Sequence, residues 1–387
     1  MIAVLTAVLA AAAPASAGPA SPLAVRFCPA QVARSYPLMD VARIHGLVVH
    51  NVAVINRGDR PVTLKSIELA LLDKGHVVDI RRFEAGGLDA AAQGAVRTEK
   101  AGMMQMFPFQ FCGEKLLDPK ATLSEDTALG PGEAVLVMRQ VFAWRGSRDE
   151  VRAHAVADAG GATVEASAAL PIDGSPSKTA MRFPLRGRWT VVVGATPHGG
   201  HRWLIPEEFA LDVASMGADN KSYRGDGASF ADYYAYGAPV VAVAAGTVAK
   251  VHDGEPENPA ALRRPGETLE AYGARVQEIQ AGLLQKGVDA VAGGHVVVDH
   301  GNGEYSVYAH LKTGSVKVKP GQAVKAGDEL AQLGSSGNST EPHLHFAVCD
   351  APSPLYCAGI PPNFTGIELP YADGPRAAQS GDVVIAE

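Results

Sequence analysis

Between Leu47 and Leu170 apolar positions come in short alternating runs broken by turn residues, with no sustained helical period. Val48 to Ile55, the polar stretch Asn56-Arg57-Gly58-Asp59-Arg60-Pro61, and Val62 to Leu72 with Ile67, Leu69 and Leu71 predict strand, turn and strand. A second such unit runs from Gly130-Pro131-Gly132 into Ala134 to Trp144. This spacing predicts an immunoglobulin-like β-sandwich over residues 25–175, closed by a Gly174 to Lys178 linker. Ala238 to Val251 reads as a strand pair turning at Gly246, and Gly294 to Leu311 as two strands around His300 to Glu304. Between them Leu269, Tyr272, Val276, Ile279 and Leu283 recur at steps of three and four, predicting a helical insertion over 255–290. Its expected place is the side of the domain, the alternative being a lid over a groove.

Composition narrows the classes. The 387 residues include 47% hydrophobic and 19% charged side chains, which suits two folded domains and argues against global disorder. The formal net charge of -7 gives no electrostatic case for nucleic acid or for an anionic membrane surface. Residues 1–17 form an apolar run ending Ala15-Ser16-Ala17, a secretory signal pattern, although Met1-Ile2 brings no basic residue. We therefore expect an exported protein, periplasmic or secreted, without a transmembrane anchor. Oxidising export would pair the four cysteines, proximity joining Cys349 with Cys357 and leaving Cys28 with Cys112.

Chemistry concentrates in the second half, which holds 8 of the 12 histidines from His198 onward. His343-Leu344-His345 places two imidazoles on one face of a strand, about 6 to 7 Å apart. Tyr308-Ala309-His310-Leu311 adds a third on a strand expected to run antiparallel nearby. With the intervening Val318 to Asp328, the stretch Trp189 to Asp350 resembles the lysostaphin-type, or LytM-type, zinc metallopeptidases of the duplicated hybrid motif fold. Three blocks carry the resemblance: Pro239 to Val251 with its Ala-x-x-Gly-x-Val ending, Val296 to Leu311, and Gly321 to Val348.

That resemblance implies a mainly β chain, with an antiparallel β peptidase domain over 185–352 and a tail over 353–387. It implies His345 and Asp212 as Zn2+ ligands, and His310 and His343 flanking the metal-bound water and the scissile carbonyl. The family's His-x-x-x-Asp pattern is broken, because Glu208 stands four residues before Asp212. His201 would fit a variant spacing as the third ligand, with Glu208 and His198 as alternatives; zinc accepts imidazole nitrogen or carboxylate oxygen. The remaining histidines, His45, His50, His76, His154, His252, His295 and His300, read as surface or satisfied residues. The implied substrate is the cross-linked stem peptide of peptidoglycan. Two rivals stand beside it: a catalytically silent regulator that activates a separate cell-wall amidase, and a phosphotransfer carrier.

Overall fold

The computed structural model describes residues 21–39, 44–117, 121–195, 200–374 and 376–387. The leader over 1–17 and His198 lie outside them. Ten strands of the first half form one sheet that folds over at a short parallel junction, Ile172 beside Ala33 and Asp173 beside Arg34. Its two sides share one core. Val52 and Val54 of the strand Ile44–Asn56 meet Ile67, Leu69 and Leu71 of Val62–Asp73, with Val151, Ala153 and Ala155 of Glu150–Ala159 packed beside them. Alternation explains the arrangement, since every second residue of Glu150–Ala159 is buried.

One element departs from the expected β-only pattern. Gly86–Lys100 is an α-helix, buried through Leu88, Ala92, Ala95 and Val96. Alanine supplies half of that face, so the helix has high propensity and weak hydrophobic contrast, and its period is faint in the sequence.

The second half is built on a nine-stranded sheet in which every neighbouring pair is antiparallel. At its centre lie Gly294–Asp299, Tyr305–Leu311, Leu344–Cys349 and Leu211–Ala214 in that order. One face packs Val213, Val296, Val298, Tyr308, Leu344 and Phe346 into a core. The predicted 238–251 strand pair does not form. Pro239–Val241 pairs with Glu329–Gln332 in a separate small sheet, whereas Gly246–His252 joins the large one beside Gly294–Asp299. Gly246 demands this close approach, because a Cβ there would lie 2.4 Å from the Asp299 carbonyl oxygen. The 353–387 segment also contributes, with Ile367–Glu368 and Val383–Ala386 closing one edge.

The two halves are firmly joined. Buried Glu304 accepts from the Ser177 hydroxyl at 2.8 Å, the Lys178 amide at 2.8 Å and the Thr179 hydroxyl at 2.7 Å. Residues read as a linker are thereby pinned to the second half. Both expected disulfides, Cys28–Cys112 and Cys349–Cys357, are present. No helix among the described residues is long and apolar enough to cross a membrane.

Candidate metal centre

Asp212 and His345 are direct cross-strand partners, so the pleat puts both side chains on the same face, opposite the apolar core. His345 Nδ1 lies 2.9 Å from Asp212 Oδ1. The third group arrives on a 3-10 turn, not on a strand: Gly200–Trp203, followed by the turn Ile205–Glu207 with Pro206 near its start. Burial of Ile205, Phe209 and Ala210 anchors this connection. It sets His201 Nε2 3.2 Å from Asp212 Oδ2. One donor atom from each of His201, Asp212 and His345 thus lies within 4.8 Å of the others.

Glu208 is placed elsewhere. It is buried between Arg202, with N···O 2.7 Å but poor hydrogen-bond alignment, and His50 Nε2 at 3.0 Å. Arg202 in turn lies over the Tyr36 ring, 3.2 Å from its centroid. Glu208 therefore belongs to the junction between the halves, and His201 stands where the shifted spacing put it. Of the other histidines, His252 and His295 stack on each other with ring centres 5.4 Å apart, away from this cluster.

His310 reaches the centre through a backbone irregularity. Ala309 is the cross-strand partner of His345, so a regular pleat would send His310 to the core face beside Tyr308. The pairing with Gly294–Asp299 instead shifts register between Gly294 and Val296, and His310 takes φ 60°. This bulge swings its ring onto the metal-ligand face, 4.8 Å from the His343 ring centre and 5.8 Å from that of His345. A left-handed non-glycine residue is costly, and such strain is found where a fold has a use for it.

Both rings are oriented through Nδ1. His310 Nδ1 donates to the Ser336 carbonyl at 2.9 Å, and His343 Nδ1 to the Glu341 carbonyl at 2.8 Å. Each Nε2 is left for the cleft, that of His343 at 3.5 Å from Asp212 Oδ1. The Ser336 segment is itself held, since Glu257 accepts from the Ser335 amide and from the Tyr236 hydroxyl, both at 2.8 Å.

Electrostatics couple the Asp212 carboxylate to the imidazoles around it. Burial opposes ionisation of Asp212, yet His343 and His201 hold its carboxyl well below the usual range. Burial likewise opposes charge on His201, but Asp212 outweighs it and lifts the imidazole to about 9. For His343 burial again disfavours the charge and Asp212 again prevails, raising the pKa. His310 goes the other way: burial, then His343 and His345, push it well below its ordinary value. Two imidazoles and a buried anionic carboxylate form a donor set suited to Zn2+, which takes such nitrogen and oxygen ligands.

The centre lies on the floor of an open cleft with about 280 Å³ of water-accessible space. Its walls come from outside the sheet: Phe107 and Phe109 from the first half, Gln280 and Leu284 from the helix Leu269–Lys286, and Leu355 beyond the second disulfide. The insertion thus borders the cleft instead of packing remotely on the side of the domain. Leu283 and Leu284, both partly buried, pack against Phe107, Phe109 and Leu355, whereas Leu269 at the start of the stripe is exposed.

The model of peptidase family M23 matches residues 263–355, which include His310, His343 and His345 but neither His201 nor Asp212. Over 57 residues the chain is 42% identical to the peptidoglycan DD-endopeptidase ShyB of Vibrio cholerae, 15% of this chain and 13% of that protein. Over 106 residues it is 33% identical to the murein hydrolase activator EnvC of Escherichia coli, 21% of this chain and 24% of that one. The chain therefore spans less than a quarter of the length of either curated relative. Among solved structures, the catalytic domain of lysostaphin from Staphylococcus simulans is similar over 45% of this chain and 88% of that one, at 19% identity and a TM-score of 0.25. By that match, residues 263–355 of this chain carry a peptidase family M23 domain.

Proposed function

We propose that the chain is an exported, zinc-dependent endopeptidase that hydrolyses the peptide cross-links of peptidoglycan. In this reading His201, Asp212 and His345 hold the metal, and His310 and His343 are the catalytic pair. The observation that carries it is the meeting of three ligand atoms within 4.8 Å beneath two histidines whose Nε2 atoms are left for the same cleft.

Zinc held by these residues would supply Lewis acidity toward the scissile carbonyl and would acidify the attacking water to a pKa of about 7. His310, locked by its Nδ1 bond to Ser336, accepts the proton of the attacking water at Nε2. His343, locked on Glu341, presents Nε2 to the oxyanion side and passes a proton to the leaving amine nitrogen. The open cleft suits an extended, conformationally free substrate such as a stem peptide. Similarity to ShyB supports that substrate class.

The test is metal content together with digestion of purified cross-linked peptidoglycan by the parent and by His343→Ala. The expected result is one zinc per chain in both and release of uncrosslinked fragments by the parent alone. A zinc-loaded parent that releases nothing, yet stimulates a purified cell-wall amidase, would transfer the assignment to a regulator, the class named for EnvC.

A further inference from the structure

The cleft continues beyond the metal centre. Past Phe107, Leu204 and Gln280, which line both spaces, it opens into a second hollow whose apolar walls include Met103, Met138 and Trp203. Two polar groups there lack partners among the described residues. Arg139 lines the hollow and is exposed, and its guanidinium makes no hydrogen bond or ion pair among the described residues. Its backbone sits at φ 53° inside the strand Glu133–Arg145, a left-handed conformation for a non-glycine residue in mid-strand.

Gln110 also lines the hollow and is 1% exposed. Its Oε1 accepts from the Ile205 amide at 2.9 Å, which fixes the flip of the side chain and makes Nε2 the free donor. That Nε2 is buried with no acceptor. An unpaired buried donor is costly unless something fills the role. The hollow thus combines a cation with apolar walls, an unmet N–H donor being buried in the residue behind them, and it shares Phe107, Leu204 and Gln280 with the cleft where the bond would be cut.

We propose that this hollow is a specificity subsite for the carboxylate-bearing end of the substrate peptide. Arg139 pairs with the carboxylate, and the residue's aliphatic part packs on Trp203 and Met138. The first half of the chain thereby acts as one wall of the substrate site. The inference rests on the endopeptidase reading of the cleft, and the experiment separates the two.

The zinc-loaded full chain is titrated calorimetrically with a cross-linked stem-peptide dimer ending in a free carboxylate and with its C-terminal amide, while mass spectrometry follows cleavage of the cross-link in both. The parent is expected to bind the acid roughly tenfold more tightly, as one charge-assisted hydrogen bond allows. In Arg139→Ala the acid-to-amide ratio falls to about one, and Arg139→Lys keeps part of it. A parent ratio near one, or a ratio unchanged in Arg139→Ala, overturns the subsite. Acid preference without cleavage leaves the subsite standing and overturns the endopeptidase; cleavage without preference does the reverse. Binding of neither peptide overturns both.

Discussion

At the level of single residues, His201 and Glu208 show how spacing and environment divide two candidates. Both precede Asp212 within reach, and zinc chemistry alone admits either. The difference is that Glu208 neutralises Arg202 in a buried cluster with His50 and Tyr36, whereas His201 faces the Asp212 carboxylate. Glu208→Ala should therefore leave one zinc per chain and cost about 3–5 kcal/mol in chemical denaturation, because Arg202 is left buried and uncompensated. His201→Ala should abolish stoichiometric zinc; full occupancy in that variant would exclude the ligand assignment. The pH dependence has a definite sign. His201 is raised from 6.5 to about 9, so in the metal-free protein its ion pair stabilises fully below pH 6.5 and that contribution is lost as pH climbs through about 9. The denaturation midpoint of the metal-free parent should fall over that window more than that of His201→Ala. Because a proton competes for the same nitrogen, zinc affinity should weaken as pH drops below about 9, with proton release on binding visible as a buffer-dependent heat.

At the level of elements, hydrophobic alternation anticipated the strand that carries His345, although that strand, Leu344–Cys349, begins one residue after His343. Alternation could not place His310, whose ring would point into the core were its strand regular. The bulge exists because Gly293, Gly294 and the Ser336–Gly337 loop approach so closely that a Cβ at Gly337 would lie 2.5 Å from the Gly293 nitrogen. Gly337, at φ 70°, also needs the left-handed conformation. Gly337→Ala should consequently disturb the Ser336 carbonyl that orients His310, lowering kcat by about tenfold or more while zinc content stays whole. The insertion acts on the same loop from its first residues, since Glu257 binds the Ser335 amide. Glu257→Gln, which keeps the shape and weakens the acceptor, should reduce kcat more than it changes KM. An effect on KM alone would mean that the loop shapes substrate binding and not the base.

On the scale of the whole molecule, the two halves share charged and aromatic contacts at Arg202, Glu208, His50 and Tyr36, and a buried hydrogen bond from Ile205 to Gln110. Calorimetry should accordingly show one cooperative unfolding transition; two well-separated transitions would contradict the coupling. Removing the Cys28–Cys112 bridge by paired serine substitution should cost about 2–5 kcal/mol and loosen Phe107 and Phe109, which precede Cys112 in the cleft wall. By itself the sequence determined the mainly β character, the two cysteine pairs, the turn at His300 to Glu304, and the candidates His310, His343, His345 and Asp212. The strands, the turn and the cysteine pairs follow from local period and from proximity along the chain, whereas the four site candidates are what the resemblance to a known peptidase family implies. Only the tertiary structure brought His201 and not Glu208 beside Asp212, turned His310 over by a bulge, separated Pro239–Val241 from Gly246–His252, and brought Phe107 and Gln280 to the edge of one cleft. Each of these depends on contacts between segments far apart in the chain, where packing and burial outweigh any local preference.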